Sequence, residues 1–281
     1  MAILNQFRIF SGIPFWVLIF TVCSCRICSS ALNTFTLDSV REALIREEDT
    51  IVFSLIERAK FPRNSLIYDE SKLRLPGFCG SFLKFFVKDS EILHAKAGRY
   101  QSPVERPFFS SKLPWPLLPP RPDPQVLHPA AAASINVSKT ILNVYVDKVL
   151  PLFTTNGDDG NYAVTAASDL ACLQAMSRRI HYGMFVAEPK FRDAPQDYGP
   201  AIRAKDRDAL MKLLTSESVE ELIKKRVKKK AMMFGQEVGL GDKSNKPKYK
   251  INPSAVSHLY GKWVMPLTKL VEVEYLLRRL D

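Results

Sequence analysis

The chain is poor in cysteine and glycine, and its first stretch has no acid. It carries 5 Cys in 281 residues, and three of them (Cys23, Cys25 and Cys28) crowd near the N-terminus. Cys79 and Cys172 are the remainder, too few and too far apart for a disulfide framework. No Cys-x-x-Cys occurs beyond Cys28 and none of the 4 His forms an HExxH, so no metal site is indicated. With only 12 Gly the chain is not collagen-like. The glycine signatures GxGxxG, GxxxxGKS/T and GxSxG are all missing, which argues against dinucleotide, P-loop and serine-hydrolase chemistry. A 46% hydrophobic content excludes disorder. The length suits one large domain or two small ones and buries a core without staples.

No acid precedes Asp38, and an uncharged, mostly apolar stretch lies between Arg8 and Arg26. It is short for a spanning helix, which needs about 20 apolar residues, and Gly12 and Pro14 weaken it further. A basic Arg8, an apolar centre and small residues at Ser29 and Ala31 fit a signal-peptide-like leader over 1–31. An uncleaved anchor and an organelle transit peptide are the alternatives. The leader stands apart from the fold, which leaves 32–281 as one domain with no membrane span expected after its removal. The triplet Asn136-Val137-Ser138 is a glycosylation sequon, relevant only if the chain is exported.

The rest reads as helix. Leu37, Val40, Leu44, Ile51, Leu55 and Ile56 recur at helical spacing, with Asp38 or Ser39 as cap and Pro62 past the end. Further helices are expected over 80–99, 138–153, 165–186, 205–214, 218–235 and 253–279. Nine prolines between Pro103 and Pro129 make a long extended strap. Asn156 to Asn161 is a turn, and 239–248 a basic loop. No strand pair stands out. The expected fold class is all-α, a bundle of about eight to twelve helices with one Pro-rich crossover.

The formal charge is +11, from 40 Lys+Arg against 29 Asp+Glu, and nucleic acid, membrane and an anionic ligand all remain candidates. The run Lys224-Lys225-Arg226 to Lys228-Lys229-Lys230 has no interleaved aromatics and reads as a solvated helix face, not a nucleic-acid patch. Some polar residues sit within apolar helical faces: Arg41 and Glu48 seven apart, Arg178-Arg179 among core-like residues, and Thr268, Glu272 and Leu276 at i, i+4 spacing.

Several stretches resemble motifs of the all-helical chorismate mutases of plants and fungi. They are VREALIREED (40–49), FCGSF (78–82), Ser102-Pro103 with Pro107-Phe108-Phe109, CLQ and RRIH within 172–181, FVAE (185–188), and VEVEYLLRRL (271–280). The likeness runs through essentially all of 37–281 and is closest to plant unregulated-type isoforms. It implies a homodimeric isomerase that rearranges chorismate to prephenate on the way to Phe and Tyr, with no cofactor and no metal. The substrate is a dianion folded into a chair, so positioning and electrostatics must supply the catalysis.

On that likeness, Arg41 and Arg179 correspond to clamps on the two carboxylates. Lys190 corresponds to the donor to the ether oxygen. Glu272 corresponds to a protonated carboxyl on the other side of that oxygen, which burial must supply by raising its pKa. Glu220 corresponds to the holder of the ring hydroxyl, and Thr268 to a pocket wall. Glu48 is expected to orient an arginine from behind. Ser216 stands where some relatives carry Asn. Met184 replaces a common Lys and reads as tolerated surface variation.

The family's effector site is less well matched. Gly98-Arg99 replaces an Arg pair, and Ala163-Val164 after Asn161 replaces Gly-Ser, adding a side chain and losing a hydrogen-bond partner. Weak or absent response to aromatic amino acids follows. Two other readings stay open, a catalytically inactive binding or structural subunit and an exported mutase that diverts a metabolite. Location is open between the cytoplasm, as the likeness suggests, and the secretory pathway, as the leader suggests, with the plastid less favoured. Within the strap, Pro114-Trp115-Pro116 and Pro119-Pro120 are expected to pack across the subunit rather than to recruit a Pro-binding module.

Overall fold

The computed structural model describes residues 35–72, 77–109, 112–120, 126–238 and 247–281. The leader at 1–31 and most of the basic loop at 239–248 lie outside the described residues. Helix α1 (Leu37–Arg58) is capped by Thr36, two or three residues before the expected cap. Thr36 Oγ1 accepts from the Ser39 amide while Ser39 Oγ accepts from the Thr36 amide, so each closes an orphan donor of the other. Helix α2 (Phe82–Lys96) is capped by Ser81 and is shorter at both ends than expected. The strap follows and leads into α3 (Pro129–Ala133).

Two helices then carry the same device. Helix α4 (Ser138–Val144) widens into a π-helical turn (Tyr145–Val149) before α5 (Leu150–Phe153), and Pro151 sits in the first turn of α5. Near the C-terminus α11 (Pro253–Leu259) widens the same way (Tyr260–Val264) before α12 (Met265–Leu276), where Pro266 holds the equivalent place. A mid-helix proline has no N–H to donate and its ring presses on the carbonyl four residues back. The wider turn gives that carbonyl room, so each helix continues instead of breaking.

The expected helix over 165–186 is two helices, α6 (Tyr162–His181) and α7 (Gly183–Asp193), with the bend at Tyr182. Close approach explains the glycine after it: a Cβ on Gly183 would lie 2.7 Å from the backbone oxygen of Thr268 on α12. Helices α8 (Pro195–Arg203), α9 (Arg207–Leu214) and α10 (Glu217–Gly235) complete the order. The only β pairing among the described residues is the bridge Gln236–Tyr249. None of the described helices is long and apolar enough to cross a membrane.

Helix α1 packs along α6, α12 along α7, and α10 along α11 and α1. The shared core includes Ile51, Leu55, Tyr145, Leu173, Met176 and Tyr275, all buried. Met184 is also fully buried, which corrects its reading as surface variation. It lies on α7 where that helix meets the core, and an unbranched thioether fills such irregular space well. A buried ion pair locks α1 to α6: Arg58 Nε donates to Asp169 Oδ1 at 2.6 Å, and the Tyr68 and Tyr145 hydroxyls donate to the same carboxylate. That lock fixes the two helices that carry Arg41, Glu48 and Arg179.

The strap departs from expectation. Its start is held, because the Phe108 and Phe109 amides donate to the buried Glu91 carboxylate. Further on, Trp115, Leu117 and Leu118 lie exposed on the chain, anchored there by the Leu117 amide on the Lys96 carbonyl. The prolines keep this stretch extended and deny it ladder hydrogen bonds with the helices below.

Candidate active site

A cavity of about 360 Å³ opens between α1, α6, α7, α10 and α12. Arg41, Glu48, Arg179, Lys190, Ser216, Glu220, Thr268 and Glu272 all line it, although they are spread over most of the sequence. Leu37, Leu44, Val186, Val219 and Met265 add apolar wall.

The floor is cationic. Arg179 is buried, and its Nη1 donates to Thr268 Oγ1 at 3.2 Å while Nε has no partner. Thr268 in turn donates to the Val264 carbonyl at 2.7 Å, which fixes the hydroxyl's acceptor side toward Arg179. Lys190 reaches across from α7 and its Nζ donates to Glu272 Oε2 at 3.1 Å and to the Leu214 carbonyl at 3.4 Å. Glu272 is buried, and burial pushes its carboxyl above the ordinary glutamate range against the pull of Lys190, Arg179 and Lys269. The site therefore favours a neutral carboxylic acid more than water does.

The mouth is looser. The Arg41 guanidinium lies 3.0 Å from Asp38 and is half exposed, so it sits at the rim while the buried Arg179 sits at the base. Glu220 faces Lys269 at 2.8 Å. Ser216 is exposed at the start of α10, its hydroxyl 3.3 Å from that of Ser218.

Glu48 does hold an arginine, and that arginine is Arg226: Nε donates to Oε2 at 2.8 Å and Nη2 to Oε1 at 2.5 Å. Lys230 joins at 3.2 Å. The run at 224–230 is thus not simply a solvated face. Arg226 and Lys230 turn inward because Glu48 is fully buried and requires charge compensation.

The effector-type residues lie elsewhere, and none of them lines this cavity. Gly98 adopts a left-handed conformation (φ 81°) before the turn that carries Arg99. Arg99 Nε bonds Glu105 at 2.8 Å, and Glu105 also lies 2.9 Å from Arg178. Asn161 precedes α6 and pairs with Asp159, and Ala163 and Val164 are exposed on its first turn.

The family model for chorismate mutase type II matches residues 161–273. Chorismate mutase 2 of Arabidopsis thaliana is 61% identical over 257 residues, covering 90% of this chain and 96% of that protein. The chain belongs to the chorismate mutase family. Its helical architecture agrees with solved members. A crystal structure of Aro7p chorismate mutase from Candida albicans in complex with L-Trp has a TM-score of 0.82 at 39% identity, covering 88% of this chain and 92% of that one. The AtCM1 crystal structure with tyrosine in its allosteric site has a TM-score of 0.79 at 52% identity, covering 88% and 97%.

For a chorismate mutase the cavity offers the right inventory. Two guanidinium groups, Arg41 and Arg179, line it, and planar forks bind carboxylates in two-pronged fashion. Lys190 and the buried Glu272 carboxyl pair at 3.1 Å beside them. Four contributors are not evident from the sequence: Gly183, Lys269, and the pair Arg226 and Lys230. The glycine inside an otherwise helical stretch is the one local signal that marks any of them.

Proposed function

We propose that this chorismate mutase rearranges chorismate to prephenate in the 360 Å³ cavity, with Arg179 at the base and Arg41 at the rim each holding a carboxylate. Lys190 donates to the ether oxygen as negative charge grows there, and Glu272, protonated, donates from the other side. Glu220 takes the ring hydroxyl and Thr268 fixes Arg179. The observation that carries this reading is the Lys190–Glu272 pair, 3.1 Å apart and directly beside the buried Arg179. Preorganised donors in a site that excludes water act strongly because they need no reorganisation during the reaction. Arg179→Ala is expected to lower kcat/KM by about 10²-fold or more, the scale of losing one such donor. Wild-type kcat/KM in that variant removes Arg179 from the site.

We also propose that the enzyme is a homodimer that responds weakly or not at all to Tyr and Trp. Solved relatives carry tyrosine in an allosteric site or are complexed with L-Trp. In this chain Arg99 is already engaged by Glu105, and Ala163 and Val164 project side chains at the first turn of α6. An engaged guanidinium, one added side chain and one lost hydroxyl leave an effector less to bind.

A further inference from the structure

A second cavity, of about 230 Å³, lies under the strap and away from the substrate pocket. One wall is the start of the strap with Gln101, Ser102 and Arg106. The opposite wall is the strap's end and α3, with Leu127 and Pro129, and Phe185 of α7 closes one side.

Arg106 is out of balance in this setting. Its Nη2 donates to the Ala132 carbonyl at 2.5 Å, but its Nε is buried with no partner. No described carboxylate pairs with it, and burial alone lowers its pKa with no anion opposing. Glu105 and Glu91 are both engaged elsewhere. Glu105, its chain neighbour, turns to Arg99 and Arg178, and Glu91 accepts the Phe108 and Phe109 amides. The buried His181 brings no negative charge. It is held neutral, its pKa pulled down to about 4 by burial. A half-buried guanidinium without a counter-ion is costly, and at the edge of a cavity it is the group an anion would neutralise.

We propose that this cavity binds a small monocarboxylate with a flat apolar body, its carboxylate on Arg106 and its body against Phe185, Leu127 and Pro129. Such a ligand touches both ends of the strap at once, so its binding ties the strap to α3 and α7. The site is separate from the substrate pocket and shares no residue with it.

Benzoate and acetate are suitable probes. Thermal-shift titration of the full chain is expected to show saturable protection by benzoate, with acetate much weaker. Arg179→Ala is expected to keep that protection, because Arg179 belongs to the other cavity. Arg106→Gln is expected to weaken apparent benzoate affinity at least about tenfold, the scale of a charged hydrogen-bonded contact. Ala133→Leu serves as a second variant, since Ala133 borders the cavity from an exposed position of α3 and a longer side chain there fills it without entering the core. Absence of benzoate protection in the wild type overturns the proposal. So does protection that survives both Arg106→Gln and Ala133→Leu, protection lost in Arg179→Ala, or acetate binding as tightly as benzoate.

Discussion

Glu272 holds the most informative balance of forces at the residue scale. Burial raises its pKa while Lys190 at 3.1 Å lowers it, and burial prevails. If the working form is the protonated acid, activity is full below the raised pKa and falls as pH climbs through it. Glu272→Gln keeps a neutral donor that cannot ionise, so its pH–rate profile is expected to stay flat across that fall at a lower plateau. A variant that loses activity over the same range as the wild type contradicts the role. Most of this site was legible residue by residue, because Arg, Lys and Glu within apolar helical faces stand out and the family motifs name their positions. The partners were not legible. Nothing around Glu48 in the sequence announces that Arg226, 178 residues away, is its counter-ion. Met184 was misread for the same reason: one residue's burial depends on where a whole helix lands.

Gly183 governs the element scale. The bend at Tyr182 re-aims α7 so that Lys190 meets Glu272, and the absence of a side chain at Gly183 lets α7 approach α12. Its added Cβ would lie 2.7 Å from Thr268 O, 3.2 Å from Thr268 Cγ2 and 3.3 Å from Glu272 Cγ. Backbone must then move, displacing two pocket residues together. Gly183→Ala is expected to cost about 1–3 kcal/mol of stability, as overpacking does, and to lower kcat by at least about tenfold. Urea unfolding and steady-state kinetics on one preparation check both; unchanged kcat refutes the close-approach argument. Helix existence was readable from period and caps throughout. The bend and the two π-helical turns were not, because periodicity survives a change of one residue per turn. Pro151 and Pro266, within helical patterns, hint at the two π-helical turns, and Gly183 at the bend.

At the whole-molecule scale the charge of +11 resolves into parts with different jobs. Arg8 and Arg26 fall in the stretch 1–31, outside the described residues. Arg226 and Lys230 neutralise the buried Glu48. Arg179 and Lys190 face the cavity, and Arg106 faces a second one. Effector response also belongs to this scale, since it couples distant sites. Millimolar Tyr or Trp is expected to change turnover by less than about twofold, and sedimentation is expected to give twice the chain mass in either case. Several-fold inhibition or activation contradicts the proposed insensitivity.

Lys190, held against Glu272 at 3.1 Å, is proposed to drive the rearrangement of chorismate. Single-turnover conversion of chorismate to prephenate by the full chain, wild type beside Lys190→Ala, tests it most directly. Rapid conversion by the wild type and a loss of about 10²-fold or more in the variant are expected, with chorismate binding retained through Arg179 and Arg41. Conversion by Lys190→Ala at the wild-type rate would contradict it.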